Sequence, residues 1–283
     1  MLPLESVPNF SEGRDSSTVD AIAAVLGAPA RLLDVHSDPD HNRSVFTLVG
    51  GDDALVDALV AGIEIAVERI DLREHVGAHP RVGAADVVPI VPLRPDDLPR
   101  AQATAERLGT IVGDRLGIPV FLYDPPARGP AFYRQGGLER LAARLAAGEL
   151  APDFGPPRLH ETAGAVIVGA RAPLIAFNVN LRGSVGAART IAAGVRERGG
   201  GYPGVRALGL ALPSVGLVQV SMNVEDWEAA ALHEIVARIE QEAETLGVEV
   251  VGSELVGLMP AAAALRIDGF DESHVLELRL LDD

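Results

Sequence analysis

The sequence contains neither cysteine nor lysine, and all 24 of its Lys and Arg residues are arginines. Without cysteine, disulfides, thiolate metal sites and cysteine nucleophiles are excluded. Without lysine, a Schiff-base or pyridoxal-phosphate lysine is excluded, and so is the Gly-Lys-Ser/Thr loop that binds phosphate in nucleotide hydrolases. Several enzyme classes are therefore ruled out before any motif is considered.

Long apolar runs and a secretion signal are also missing. No stretch approaches the roughly 18 uninterrupted apolar residues of a membrane span, and residues 1–6 lack the basic and apolar regions of a signal peptide. The net charge of −16 argues against binding to nucleic acid or to anionic membrane surfaces. We therefore expect a cytoplasmic protein that acts on small molecules, with no nucleic-acid partner and no membrane partner.

The hydrophobic pattern predicts two similar α/β (α+β) halves, each with the order β-α-β-β-α-β of the split, ferredoxin-like arrangement. In the first half the predicted elements are residues 4–8, 17–27, 31–36, 43–48, 52–70 and 87–91, and the spacing of Ser17 and Asp20 indicates a capping box. In the second half they are residues 174–181, 184–198, 205–212, 217–222, 226–246 and 248–256. Between the halves we predict helices at 96–116 and 137–147 and a strand at 119–123, followed by a Pro/Gly-rich connector at 151–157. The expected domains are therefore residues 1–157 and 158–283.

Polar side chains occupy one face of two predicted strands in the second half. Asn178 and Asn180 alternate with apolar residues, and so do Gln219 and Ser221. In a β-α-β-β-α-β sheet the first and third strands are central neighbours, so we expect these two rows to lie side by side. Either the face is open to water, or the uncovered faces of the two halves oppose each other across a cleft and the amides bind a polar heterocycle.

A loop segment with two histidines, His75 and His79, joins a long helix to a strand. Gly77 and Pro80 argue against a helix here, so we disfavour a metal pair on one helical face. His79 is the candidate acid–base residue, with Arg81 as a carboxylate anchor and Asp86 to orient the imidazole. For His75 we expect a structural hydrogen bond.

Arg14 and Arg43 follow turn signals and are further candidates for binding an anion. The alternative for each is a surface salt bridge or a turn hydrogen bond.

Motifs along nearly the whole chain resemble the formiminotransferase family. They are Val7-Pro-Asn-Phe-Ser-Glu-Gly-Arg14, Asn42-Arg43, His79-Pro-Arg-Val-Gly-Ala-Ala-Asp86-Val-Val-Pro, Ala151-Pro-Asp-Phe-Gly-Pro156, Ala176-Phe-Asn-Val-Asn-Leu181, Gln219-Val-Ser-Met-Asn223 and Gly252-Ser-Glu-Leu-Val-Gly-Leu258. The resemblance implies transfer of a formimino group from N-formimino-L-glutamate to tetrahydrofolate in histidine degradation. It also implies two α/β subdomains that enclose a ligand tunnel.

By this resemblance His79 aligns with the family's catalytic histidine, and residues 155–164 align with its folate-binding stretch. An imidazole with a pKa of about 6.5 can accept the proton of tetrahydrofolate N5 and return it to the departing glutamate nitrogen. Tetrahydrofolate is then a co-substrate, and no metal is required. The folate and substrate residues expected from the motifs and the polar rows are Arg43, Arg81, Asp86, Gly155, Pro156, Arg158, His160, Thr162, Gly164, Asn178, Asn180, Gln219 and Ser221.

Three further expectations concern the assembly and the reaction partners. We expect a homodimer as the default oligomer. No cyclodeaminase domain follows residue 283, so another protein is expected to release ammonia from the product. Val76 and Ala78 stand where family members often have Lys and Glu, which leaves a different donor such as 5-formyltetrahydrofolate open, as well as a folate-binding protein without catalysis.

Overall fold

The computed structural model describes residues 2–123, 128–264 and 271–281. The chain forms two compact units, Met1–Ala172 and Pro173–Asp283. Both are built of helices packed on a sheet, so the predicted α+β class is confirmed. Within the described residues, no helix is long and apolar enough to cross a membrane.

The first unit begins with the predicted β-α-β-β-α-β order and then adds further elements. Its strands and helices are β1 (Leu4–Ser6), β2 (Asn9–Phe10), α1 (Ser16–Leu26), β3 (Arg31–Asp38), β4 (Arg43–Gly50), α2 (Asp52–Arg69), β5 (Ala85–Pro92), α3 (Leu98–Leu116), β6 (Val120–Leu122), α4 (Pro130–Arg134), α5 (Gly137–Ala146) and β7 (Val166–Ala170). A short 3-10 turn at Pro95–Asp97 precedes α3.

Two details at the start of this unit differ from the sequence prediction. The first strand is divided into β1 and β2, because Pro8 has no N–H to offer a neighbouring strand. Its carbonyl still accepts a hydrogen bond from the Phe46 amide at 3.1 Å. The N-cap of α1 is Asp15, whose carboxylate accepts from the Ser17 amide at 3.1 Å, so the predicted capping box at Ser17 and Asp20 is wrong.

The sheet of the first unit has β1 and β2 between β4 and β5, with β3 outside β4 and all of these pairs antiparallel. On the other side of β5, β7 pairs with it in parallel, and β6 pairs in parallel with β7. The helices α1, α2 and α3 cover an apolar core that includes Phe10, Phe46 and Leu59. The sheet is thus extended at the edge next to β5, where the histidine segment ends.

Strand β7 was absent from the sequence prediction. Because it lies between β5 and β6, residues 158–172 belong to the first unit, which therefore runs past the expected boundary at residue 157. Its apolar run Val166–Ala170 has only five residues, which is too short to show a clear period of two or 3.6.

The second unit consists of β8 (Ile175–Arg182), α6 (Val185–Val195), β9 (Val205–Leu212), β10 (Leu217–Val224), α7 (Leu232–Thr245), β11 (Glu249–Val256), α8 (Ala261–Ala264) and α9 (Leu276–Leu281). The strand order is β11-β8-β10-β9, with every pair antiparallel. Helix α7 begins at Leu232 rather than at the expected Asp226. Asp226 instead closes a separate turn by accepting from the Ala229 and Ala230 amides.

Candidate active site

The segment from Asp71 to Ala84, between α2 and β5, is not helical, as Gly77 and Pro80 predict. It lies against the turn between β3 and β4. The Ala78 amide donates to the Asp40 carbonyl at 3.0 Å, and the Asn42 side-chain amide donates to the Val76 carbonyl at 3.2 Å. We call residues 75–81 the histidine loop.

Arg81 fastens this loop by binding backbone carbonyls. Its guanidinium donates to His41 O at 2.6 Å, to Asn42 O at 2.8 Å and to His79 O at 2.7 Å. It also lies 3.0 Å from Nε2 of His75. Arg81 was expected to hold a substrate carboxylate, but in this structure its Nε and both terminal nitrogens contact the protein itself.

The backbone approaches closely around the histidine loop. A Cβ on Gly77 would collide with the His41 carbonyl and with the Arg81 guanidinium. Asn42 has a φ of +47°, the left-handed region that asparagine tolerates better than most residues, and its Oδ1 accepts from the Gly13 amide at 3.0 Å. At Val76 and Ala78 the loop is held through backbone groups, which do not depend on the side chains that differ from the family pattern.

His79 is half-buried, and its hydrogen-bonding side-chain partner is a cation. Nη1 of Arg43 lies 2.6 Å from His79 Nδ1, and the Pro80 carbonyl lies 2.8 Å from the same nitrogen. Arg43 is fixed from its other side by Asn9, whose Oδ1 accepts from Arg43 Nε at 2.8 Å. The His41 ring is 6.0 Å away, centroid to centroid.

Asp86 is buried and reaches the imidazole through arginines. Its Oδ1 accepts from the Val82 amide at 2.8 Å, and its Oδ2 accepts from Arg134 Nη2 at 2.5 Å. Oδ2 also lies 3.8 Å from Arg43 Nη1. The expected direct orientation of His79 by Asp86 is therefore replaced by an indirect one, in which Asp86 positions the guanidinium that contacts the ring.

The charge around His79 favours its neutral form. Burial lowers the pKa of His79 well below its ordinary value of 6.5, and Arg43, Arg134 and His41 lower it further. Burial and the neighbouring Arg134 also lower the pKa of Arg43 to about 9. The guanidiniums of Arg43, Arg81 and Arg134 lie near one buried carboxylate, that of Asp86. This guanidinium cluster therefore has a net positive charge.

Residues 155–164, the expected folate-binding stretch, begin against α3 and end beside the segment that joins His79 to Asp86. At its start Gly155 has a φ of +79° and packs against α3, where a Cβ on Gly113 would lie 2.6 Å from the Gly155 amide nitrogen. Pro156 and Arg158 follow, and Arg158 is exposed. The backbone path is therefore fixed at this end by contact with a helix.

At its other end the stretch closes in a tight turn. His160 and Gly164 exchange backbone hydrogen bonds of 2.8 and 3.0 Å, and His160 Nδ1 accepts from the Ala163 amide at 3.1 Å. The Thr162 carbonyl accepts from the Leu72 amide at 2.8 Å. Gly164 forms a bridge with Gly83, so the structure brings this turn next to the segment that joins His79 to Asp86.

In the second unit, the two polar rows lie side by side as predicted. Gln219 pairs with Asn180 and Ser221 with Asn178 across β10 and β8. The Gln219 side chain donates to Asn180 Oδ1 at 2.9 Å and to Glu254 Oε1 at 3.0 Å, and Asn178 donates to the same Glu254 oxygen at 3.0 Å. We call Asn178, Asn180, Gln219 and Glu254 the amide–carboxylate cluster.

Sequence reasoning missed three of these side chains: Asn9, Arg134 and Glu254. Each contacts its partners across a long sequence separation, and no role was expected for any of them, although Asn9 and Glu254 stand within the motifs that resemble the family. Glu254 could have been found, because it is an acidic residue on the strand predicted at 248–256, and in a β-α-β-β-α-β sheet that strand pairs with the one that carries Asn178 and Asn180. Arg14, a candidate anion anchor, instead donates to the Pro39 carbonyl at 2.7 Å on the surface. Among the described residues, no group of three or more acidic or histidine side chains is arranged to hold a metal ion.

A neutral imidazole beside a cluster of positively charged guanidiniums can act as an acid–base catalyst on an anionic substrate. Residues 3–171 match the family described as the N-terminal subdomain of the formiminotransferase domain, and residues 176–272 match the formiminotransferase domain. The chain therefore belongs to the formiminotransferase family.

Curated relatives of the chain carry formimidoyltransferase names. The glutamate formimidoyltransferase of Streptococcus pyogenes serotype M1 is 39% identical, over 98% of each chain. That of Thermoplasma acidophilum is 41% identical, over 98% of this chain and 97% of its own length. The formimidoyltransferase-cyclodeaminase of Sus scrofa is 41% identical over 94% of this chain, which matches only 52% of that longer protein.

Proposed function

We propose that the protein transfers the formimino group of N-formimino-L-glutamate to N5 of tetrahydrofolate, with His79 as the acid–base residue. The observation that carries this proposal is the contact of His79 with Arg43, which favours the neutral imidazole that a general base requires. The names of the full-length relatives supply the reaction class.

The chemistry requires one proton to move between two nitrogens. N5 of tetrahydrofolate attacks the formimino carbon, a C–N5 bond forms, and N5 loses its proton to the neutral His79. The imidazolium then gives that proton to the glutamate nitrogen, and the bond between this nitrogen and the formimino carbon breaks. The products are 5-formimidoyltetrahydrofolate and glutamate, and a positioned imidazole contributes roughly 10² to 10⁴ in rate.

The guanidinium cluster supports a donor with carboxylates. Arg134 Nε is buried and has no hydrogen-bond partner among the residues that the structure describes. A buried N–H without a partner is unfavourable, and a carboxylate would satisfy it. We assign Arg134, together with Arg43, to the donor carboxylates, and Arg81 to the support of the histidine loop.

The folate is assigned to residues 155–164 and to the polar face of the second unit. The turn at His160–Gly164 lies beside the backbone that carries His79, which supports a role for this stretch near the reacting nitrogen. The aligned amides of Asn178, Asn180 and Gln219, with Ser221, supply polar contacts for the heterocycle. Tetrahydrofolate is a co-substrate in this scheme, and none of its steps calls for a metal.

The test is a steady-state assay with both substrates and a matched pair of histidine variants. We expect the wild type to form 5-formimidoyltetrahydrofolate and His79→Ala to lose roughly 10² or more in turnover. His233→Ala changes an exposed histidine on α7 and is expected to retain wild-type turnover. Full turnover by His79→Ala would refute the mechanism.

A donor panel completes the test. We expect formiminoglutamate to have a higher kcat/KM than 5-formyltetrahydrofolate or other formyl amino acids. A better donor in this panel would replace the substrate assignment, whereas binding of folate with no transfer from any donor would replace the catalytic one.

A further inference from the structure

Glu254 is a carboxylate held among amides on the face of a sheet. It lies opposite Asn178 in the β11–β8 register. Only its Oε1 is bonded, to the side chains of Asn178 and Gln219. Glu254 Oε2 forms no hydrogen bond with any part of the chain that the structure describes, so this oxygen can accept a hydrogen bond from a ligand.

Gly252 leaves an open area on the face of the sheet beside this acceptor, which we call the ledge. It lies opposite Asn180 and is two residues from Glu254, on the same face of β11. A Cβ at Gly252 would meet no atom within 4 Å, and its φ is not positive. Neither packing nor backbone conformation therefore requires glycine at this position.

We propose that the amide–carboxylate cluster binds the hydrogen-bonding edge of a 2-amino-4-oxopyrimidine ring, with Glu254 accepting from the ring. This inference rests on the proposed function, because that ring is the end of the tetrahydrofolate molecule farthest from its glutamate. The ring stacks over the ledge at Gly252. Glu254 determines the specificity for this heterocycle.

The hydrogen-bonding groups of the cluster and the ring are complementary. The ring edge presents two adjacent donors, the 2-amino group and a ring N–H, followed by the 4-oxo acceptor. A carboxylate accepts from two adjacent donors in a bidentate manner, as it does from a guanidinium. Asn180 uses its Oδ1 to accept from Gln219, which leaves its amide N–H groups for the 4-oxo oxygen.

The experiment measures tetrahydrofolate affinity by calorimetry and the KM for tetrahydrofolate in the transfer assay. Glu254→Gln is expected to weaken both by about 10- to 100-fold, because a hydrogen bond to a charged acceptor is lost. Glu249→Gln is the control, since Glu249 lies on the same strand, is exposed and pairs with Arg182. The control should bind tetrahydrofolate as the wild type does.

A folate analogue without the 2-amino group distinguishes a loss of ring recognition from a general effect of the substitution on the folded protein. We expect the wild type to bind this analogue about 10-fold or more weaker than tetrahydrofolate, and Glu254→Gln to bind both with similar affinity. Gly252→Leu provides a second variant. It should keep the fold, since its side chain enters open space, and lose tetrahydrofolate affinity because the ledge is filled.

The outcomes distinguish this inference from the proposed function. A wild type that transfers formimino groups, with variants of unchanged tetrahydrofolate affinity, would overturn only the role of Glu254. A wild type that neither binds nor uses tetrahydrofolate would overturn both.

Discussion

Nη1 of Arg43 lies 2.6 Å from Nδ1 of His79, so the imidazole is paired with a guanidinium instead of a carboxylate. A carboxylate partner would raise the pKa of the ring, whereas the positive charge of Arg43 lowers it. The imidazole is therefore neutral before any substrate binds. An anionic donor would offset the guanidinium charge and raise the pKa of His79, which would make the imidazole a better proton acceptor for the first step.

Arg43→Gln should move the acid limb of the pH profile. Arg43 lowers the pKa of His79, so its removal should raise that pKa. We therefore expect the acid limb of kcat/KM to move to higher pH by roughly one unit. Arg238→Gln, on the surface of α7, is the control and should leave the limb unchanged. The measurement is kcat/KM from about pH 4.5 to 8.5. An unmoved limb in Arg43→Gln would show that Arg43 does not set this pKa.

Arg81→Lys should affect turnover more than donor affinity. A lysine cannot reach the carbonyls of His41, Asn42 and His79 together, so the histidine loop loses its support. We expect kcat to fall about 10- to 100-fold and the free energy of unfolding to fall by about 1 to 3 kcal/mol. Steady-state kinetics and urea denaturation would measure both. A large rise in the donor KM with little change in kcat would instead make Arg81 a carboxylate anchor.

Gly77→Ala should displace the histidine loop without removing any functional group. The added Cβ collides with the His41 carbonyl and the Arg81 guanidinium, so we expect turnover to fall about 10-fold or more. Gly186→Ala makes the same change in α6, where the Cβ would have an ordinary contact of 3.6 Å with Ser184 Oγ. That variant should keep its turnover. Equal turnover of the two variants would contradict a tightly held loop.

Stability should decline as the pH falls below about 6.5. The pKa of His75 is lowered to about 4 by burial and by Arg81, so the unfolded chain takes up a proton that the folded chain does not. This contribution is complete above about pH 6.5 and is lost between there and about pH 4. Urea midpoints at about pH 7.5 and pH 5 would measure the loss. The loss of stability between these two pH values should be smaller in His75→Gln than in the wild type. An equal loss in both would exclude His75 as a cause.

Most helices and strands could be predicted from the sequence, because each half buries one face of its helices and strands. The polar row of Asn178 and Asn180 follows from the period of two in a strand, and its pairing with Gln219 and Ser221 follows from the strand order. Gly77 and Pro80 predict that the segment of His79 is a loop, and the structure confirms this.

The parts that sequence reasoning missed depend on contacts between distant residues. Arg134 meets Asp86, and Asn9 meets Arg43, across separations that no local pattern encodes. Arg81 has the residue type of a substrate anchor, yet its neighbours turn it toward backbone carbonyls. A residue type indicates which chemistry is available, whereas the fold decides where it is used.

The bridge between Gly83 and Gly164 has a kinetic consequence. It joins two segments that are far apart along the chain, and such closures are slow in folding because the intervening loop loses entropy first. Helices α1, α2 and α3 can form from local contacts, but the backbone that carries His79 has its final neighbours only when β7 has docked beside β5. During refolding, the return of activity should therefore follow the return of helical signal.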